Sequence, residues 1–296
     1  VRYHRSDGEW IPADHLTVRI IDEETGFDDL LAEVRTNNSG EYDVNVWSDE
    51  SEPDLYIEFA TINGAIEIQD GTWNSTYTWA TSVREDYTGS TLNFGTLSSS
   101  DELIRPAMHM LTNVIRAWRW FKNTMGVSPG RQDLEWPSGD WPYYDPDWGD
   151  IHIPQYVNGS EDFTRRWNTG THVHEYGHAL MNEVWDYLPS FDYDNGICNN
   201  PNGDPGHCGF CQEDGGTALS EGWGNYLAGE VIYRTANINR QRVLIVAPAA
   251  LKTAMWEPFL ATYDFSRWVT VYSYEEVRNR LDPEKGPIDA FMREIE

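Results

Sequence analysis

The feature that most limits how this chain can fold is a change in the period of its apolar residues about one third of the way along. From His15 to Asp22 the pattern alternates around Leu16, Val18 and Ile20. Successive side chains of a strand point to opposite faces, so alternation predicts a half-buried strand. Leu31 to Arg35 follows, then the polar turn Thr36-Asn37-Asn38-Ser39-Gly40, then Tyr42, Val44 and Val46 on one face. Leu55 to Ala60 and Ala65 to Ile68 are further short apolar runs, with Asn63-Gly64 between them as a hairpin signal. Short strands at this spacing predict an antiparallel β-sandwich over residues 1–98. After Leu97-Ser98-Ser99-Ser100-Asp101 the period lengthens: Met108, Leu111, Val114, Ile115, Trp118 and Phe121 recur at helical spacing. Pro106 suits a first turn and Gly126 a stop. A domain boundary is expected here, with a second domain over 101–296. Within it, Asp133 to Trp136 and Asp150 to Pro154 are strand candidates. The remainder reads as mainly helical, with a long irregular insertion from Leu188 to Gly216.

Charge narrows the partners. With 49 acidic against 21 basic residues the formal net charge is −28, which repels phosphate backbones and anionic lipid. No segment has the roughly eighteen consecutive apolar residues that a membrane helix needs. Such a surface suits solubility outside the cell, an acidic medium or high salt. Val1 in place of Met is read as a start after processing, so the lack of a signal peptide does not bear on export. Three sequons, at Asn37, Asn74 and Asn158, add to the expectation of a secreted protein. Oligomeric state is not legible.

His174-Glu175-Tyr176-Gly177-His178 carries the strongest chemical signal. On a helix, histidines four apart share one face, about 6 Å apart along the axis. Both imidazoles can then reach one zinc ion at roughly 2.0–2.1 Å. Glu175 projects beside such a metal, where it can take a proton from a zinc-bound water attacking a carbonyl. Thr169 or Thr171 can cap the helix, Ala179, Leu180 and Val184 continue its apolar face, and Pro189 ends it. The plain alternative is a buried amphipathic helix whose histidines are satisfied by hydrogen bonds. His172, two residues before His174, points off the metal face and is expected to make a structural hydrogen bond.

A peptidase zinc takes three protein ligands and keeps a fourth position open. Met181 and Val184 stand where the metzincin continuation requires Gly and His, so that class fails. The best third ligand is Glu221 in the helical pattern Ala218-Leu219-Ser220-Glu221-Gly222-Trp223-Gly224-Asn225-Tyr226-Leu227, where a carboxylate among apolar neighbours calls for a cation. Its plain alternative is a helix carboxylate meeting an arginine. Glu213 and Asp214 compete with it. Ser220 occupies the position that the aspzincin pattern gives to Asp. Asn225, one turn after Glu221, could hydrogen-bond a ligand histidine. Together with the edge-strand candidate Ile151-His152-Ile153, residues 101–233 resemble the gluzincin metallopeptidases. Likewise, the Thr36 to Tyr42 turn and its flanking strands resemble transthyretin-like or carboxypeptidase-regulatory-type β domains.

The resemblance implies a single catalytic Zn2+ held by His174, His178 and Glu221, with Glu175 as general base and a peptide or protein as substrate. Two other functions stay open: a zincin-fold module whose metal is structural and whose Trp and Tyr side chains bind glycan or protein, and a zinc hydrolase acting on glycoprotein. Asp192, Asp194, Asn195, Asn200, Asn202 and Asp204 could cradle Ca2+ or simply form Asx turns. Cys198, Cys208 and Cys211 could form one disulfide with a thiol left over, or a Cys3His site with His207. Tyr263, Tyr272, Tyr274 and His207 are equal candidates for stabilising an oxyanion.

Overall fold

The computed structural model describes residues 1–157, 160–161, 165–186, 188, 215–235, 243–247, 269–273 and 276. The chain divides into two compact units, Val1–Trp185 and Asp186–Glu296. The first begins with β1 (Arg2–His4), β2 (Trp10–Pro12), β3 (Thr17–Asp22), β4 (Asp29–Arg35), β5 (Leu55–Ala60), β6 (Ile66–Gln69) and β7 (Thr78–Ala80). It continues with α1 (Ile104–Met125), β8 (Gln132–Glu135), β9 (Tyr143–Asp145), β10 (Asp150–His152), β11 (Tyr156–Val157) and β12 (Ser160–Glu161). A 3-10 turn, Arg165–Trp167, then leads into α2 (Thr169–Trp185).

The N-terminal region is β and antiparallel, as its alternation predicts. A four-stranded sheet runs in the order β4-β3-β5-β7, with Val18 opposite Phe59 and Ile20 opposite Ile57. The expected second sheet of a sandwich is not formed among the described residues. The inner face is covered instead by Tyr3 from β1, by Ile104 and Met108 from α1, and by partly buried Tyr42, Val44, Phe94 and Leu97. Tyr42 and Val44 do turn inward, but residues 41–48 adopt no strand. Alternation reports which side chains are buried, not whether the backbone finds a ladder partner.

The Asn63-Gly64 turn closes a short hairpin, with Ile62 bridging Glu67 in antiparallel fashion and the Ile68 N–H on Thr61 O at 2.8 Å. Asn63 Oδ1 accepts the Ala65 and Ile66 amides at 2.8 and 3.1 Å, but β6 then leaves β5 and pairs in parallel with β8. The resulting mixed sheet has the order β6-β8-β10-β9, parallel except for the antiparallel edge strand β9. Ile151 therefore lies on an internal strand, not on the expected edge. The boundary foreseen at 98–101 falls inside the first unit, because this sheet draws strands from both sides of it. In the stretch that follows, the described residues form three α-helices, two of them in this unit, together with short strands. α1 packs on β6, α2 on β9 and β10, and the two helices on each other. Ile66, Ile68, Leu134, Ile151 and Ile153 form the buried floor.

Local chemistry sets the helix ends. Asp101 Oδ1 accepts the Leu103 and Ile104 amides at 2.7 and 3.1 Å, and Gly126 closes α1 at φ 70° with its N–H on Lys122 O. α2 is capped by Asn168, whose Oδ1 accepts the Thr171 amide at 3.1 Å, one residue before the first threonine expected to do so. Arg119 of α1 grips buried Asp14 with two bonds of 2.7 and 3.0 Å.

In the second unit α3 (Gly215–Thr235) packs on β13 (Val243–Ala247), which pairs in parallel with β14 (Val269–Ser273). No described helix is long and apolar enough to cross a membrane.

Two buried imidazoles sit where β1, α1 and α2 meet. His109 accepts from Tyr3 Oη at 2.9 Å and donates to Trp167 O at 3.1 Å. His172 lies edge-on to it, with ring centroids 5.6 Å apart. Burial first, then the neighbouring His172, drives the pKa of His109 well below 6.5; burial lowers His172 to about 4. Below pH 6.5 the unfolded chain takes up protons at these rings while the folded chain does not, so stability falls with acidification. Each ring contributes up to about 1.4 kcal/mol per pH unit until its folded pKa is reached. Urea unfolding at pH 7 and pH 5 should show this loss, and His109→Gln should flatten the slope. An unchanged slope in that variant would refute the assignment.

Candidate metal centre

α2 is buried almost all round. Val173, Tyr176, Ala179 and Leu180 are fully enclosed, as is His172. On this helix His174 is half-buried while Glu175 and His178 are buried. The two ligand candidates converge: His174 Nε2 and His178 Nε2 lie 3.1 Å apart, with rings at 87° and centroids 4.7 Å apart. Two imidazoles on one tetrahedral ion, each at about 2.0–2.1 Å, place their nitrogens about 3.3 Å apart. The observed separation is close to that value. Without an ion the same contact is a hydrogen bond, one ring carrying the Nε2 proton and the other accepting it. The two Nε2 atoms therefore meet on one side of α2, as the spacing of four predicts.

His172 behaves as expected of a residue off the metal face. Its Nε2 donates to Arg165 O at 2.9 Å and its Nδ1 accepts from Asn113 Nδ2 at 3.1 Å. At the far end of α2, Asn182 Nδ2 donates to Tyr144 Oη on β9 at 2.9 Å. Gln132 Nε2 donates to Glu183 Oε2 at 2.6 Å, and the same carboxylate takes the Gly130 amide. Asn113 and Tyr144 are contributors that spacing within α2 cannot reveal, since both come from other elements.

Glu221 lies on α3 in the second unit, half-buried and next in sequence to buried Ser220. Ser220 Oγ donates back to Gly216 O and Thr217 O at 3.2 and 3.3 Å, the usual behaviour of a helical serine. Trp223, Tyr226 and Leu227 are buried, whereas Asn225 is exposed. Glu213, Asp214, His207, the three cysteines, the Asx-rich loop at 192–204, Tyr263 and Tyr274 lie outside the described residues, as does the Tyr272 side chain. One further carboxylate group, Asp22, Glu24 and Glu50, could hold a cation. Asp22 there already accepts Ser48 Oγ at 2.9 Å and the Asp54 amide at 2.8 Å.

No family model matches this chain, and no curated protein does. A ligand bound by the folded state raises stability by RT ln(1 + [L]/Kd), about 2.7 kcal/mol at a hundredfold excess over Kd. Zinc should raise the melting temperature of the native chain but not of His174→Ala or His178→Ala. A native chain indifferent to zinc would remove the metal assignment.

Proposed function

We propose that this chain is a zinc-dependent peptidase of gluzincin type, hydrolysing peptide bonds, with His174, His178 and Glu221 as ligands and Glu175 as general base. The observation that carries the reading is the convergence of two Nε2 atoms at 3.1 Å on a helix that also buries Glu175. Glu221 is the third ligand that the helical pattern at 218–227 offers to that pair. Zinc held by such a set acidifies water and polarises a carbonyl. The rest of the chemistry belongs to Glu175. Its carboxylate accepts a proton from the attacking water and returns it to the peptide nitrogen, which leaves as an amine. The N-terminal β region then serves to position substrate or bind a partner, and the acidic surface with exposed Asn37 and Asn74 suits a secreted enzyme.

A second reading, a module with a structural metal that binds glycan or protein, draws on exposed Trp47, Trp73 and Trp148, each about 80% accessible. A structural metal needs no general base, so a glutamate directly after His174 in the sequence favours the enzyme. Zinc analysis combined with cleavage of a mixed peptide library separates them, since bound zinc without chelator-sensitive cleavage selects the module.

Glu175→Gln should retain zinc while kcat falls by about 10²–10⁴, the usual worth of a general base; undiminished turnover would sink the mechanism. Glu221→Gln should weaken zinc by more than the roughly 10–100-fold cost of losing a residue behind a ligand. An unchanged zinc Kd in that variant assigns the third ligand elsewhere.

A further inference from the structure

We infer that Asn113, on α1, is a positioning residue for the metal-binding helix: it sets the rotation of α2 about its axis and thereby the convergence of His174 and His178. The inference rests on the metal reading above. The proton order is self-consistent. His172 Nε2 faces the Arg165 carbonyl at 2.9 Å and must carry the proton, so Nδ1 is an acceptor. Asn113 must then meet it with its NH2 group, at 3.1 Å. That leaves Asn113 Oδ1 to accept from Thr169 Oγ1, at 3.4 Å. One buried amide thus grips two α2 residues three apart, which lie on the same helix face. A grip at two points on one face resists rotation in a way that a single bond cannot.

Rotation matters here because of leverage. Side-chain atoms lie about 5–6 Å from a helix axis, so a turn of about 10° moves them roughly 1 Å. Metal–ligand distances tolerate only about ±0.2 Å. Apolar packing around Val173, Tyr176 and Leu180 is non-directional and does not choose among such rotations to that accuracy. The Asn182 and Glu183 bonds hold the opposite end of the helix, so loss of the Asn113 grip frees the end that precedes His174.

Thr112 provides a matched control. It is the adjacent α1 residue, also buried, and its hydroxyl accepts the Asp14 amide of the N-terminal region at 3.3 Å. The probe is Co2+, titrated into the zinc-free full chain, with affinity and the visible ligand-field spectrum as readouts beside thermal stability. Asn113→Leu should lower Co2+ affinity about tenfold and alter the spectrum, while Thr112→Val loses comparable stability but keeps both. Should Asn113→Leu fail to fold, Asn113→Ala removes both bonds without adding bulk, and the same loss of affinity is expected. Equal Co2+ binding in native and Asn113 variants, or an equal drop with Thr112→Val, would overturn the inference. A native chain that binds no Co2+ overturns the metal reading itself, and this inference with it.

Discussion

The parallel pairing of Ile66–Gln69 with Gln132–Glu135 is the constraint on which the first unit depends. Parallel strands need a crossover, and here the crossover spans β7 and the whole of α1. That single ladder carries β6 out of the N-terminal sheet and makes it the first strand of the next. α1 is thereby laid over β6, its first half closing the antiparallel core and the rest flooring α2. Had the short Asn63-Gly64 hairpin extended along β5, the four-stranded mixed sheet would lose its edge and α2 part of its support.

α2 has to satisfy two demands that conflict. It is enclosed by apolar neighbours, yet it carries three histidines and a glutamate within seven residues. Burying polar groups is costly unless each is hydrogen-bonded or paired. His172 meets this with bonds from a different helix and from the preceding 3-10 turn. The Nε2 atoms of His174 and His178 meet it with each other at 3.1 Å. The same physics that keeps one imidazole neutral and structural leaves the other two aimed at a common point.

Much of the site was legible because its logic is local. A spacing of four places two side chains on one helix face whatever the surrounding fold, so the pairing of His174 with His178 followed from the helix alone. The off-face role of His172 followed from its spacing of two. Its partners did not: Asn113 lies 59 positions away, and no pattern within either helix links them. The edge strand was missed for a related reason. Tyr143–Asp145 is three residues long in a Pro/Trp/Asp-rich stretch, too short to show a period, and it exists because β10 offers it a partner.

By itself the sequence determined the elements whose causes lie within a turn or a few alternating residues. These are β3, β5, the two helices of the first unit with the Gly126 stop, and the pairing of two imidazoles on one face of α2. Tertiary structure alone decided which strand joined which sheet, where one unit ended, and which distant side chains bonded to α2. The reason is physical. Period and capping are properties of neighbouring residues, whereas ladders and buried polar bonds are settled by competition among partners that only a folded chain brings within reach.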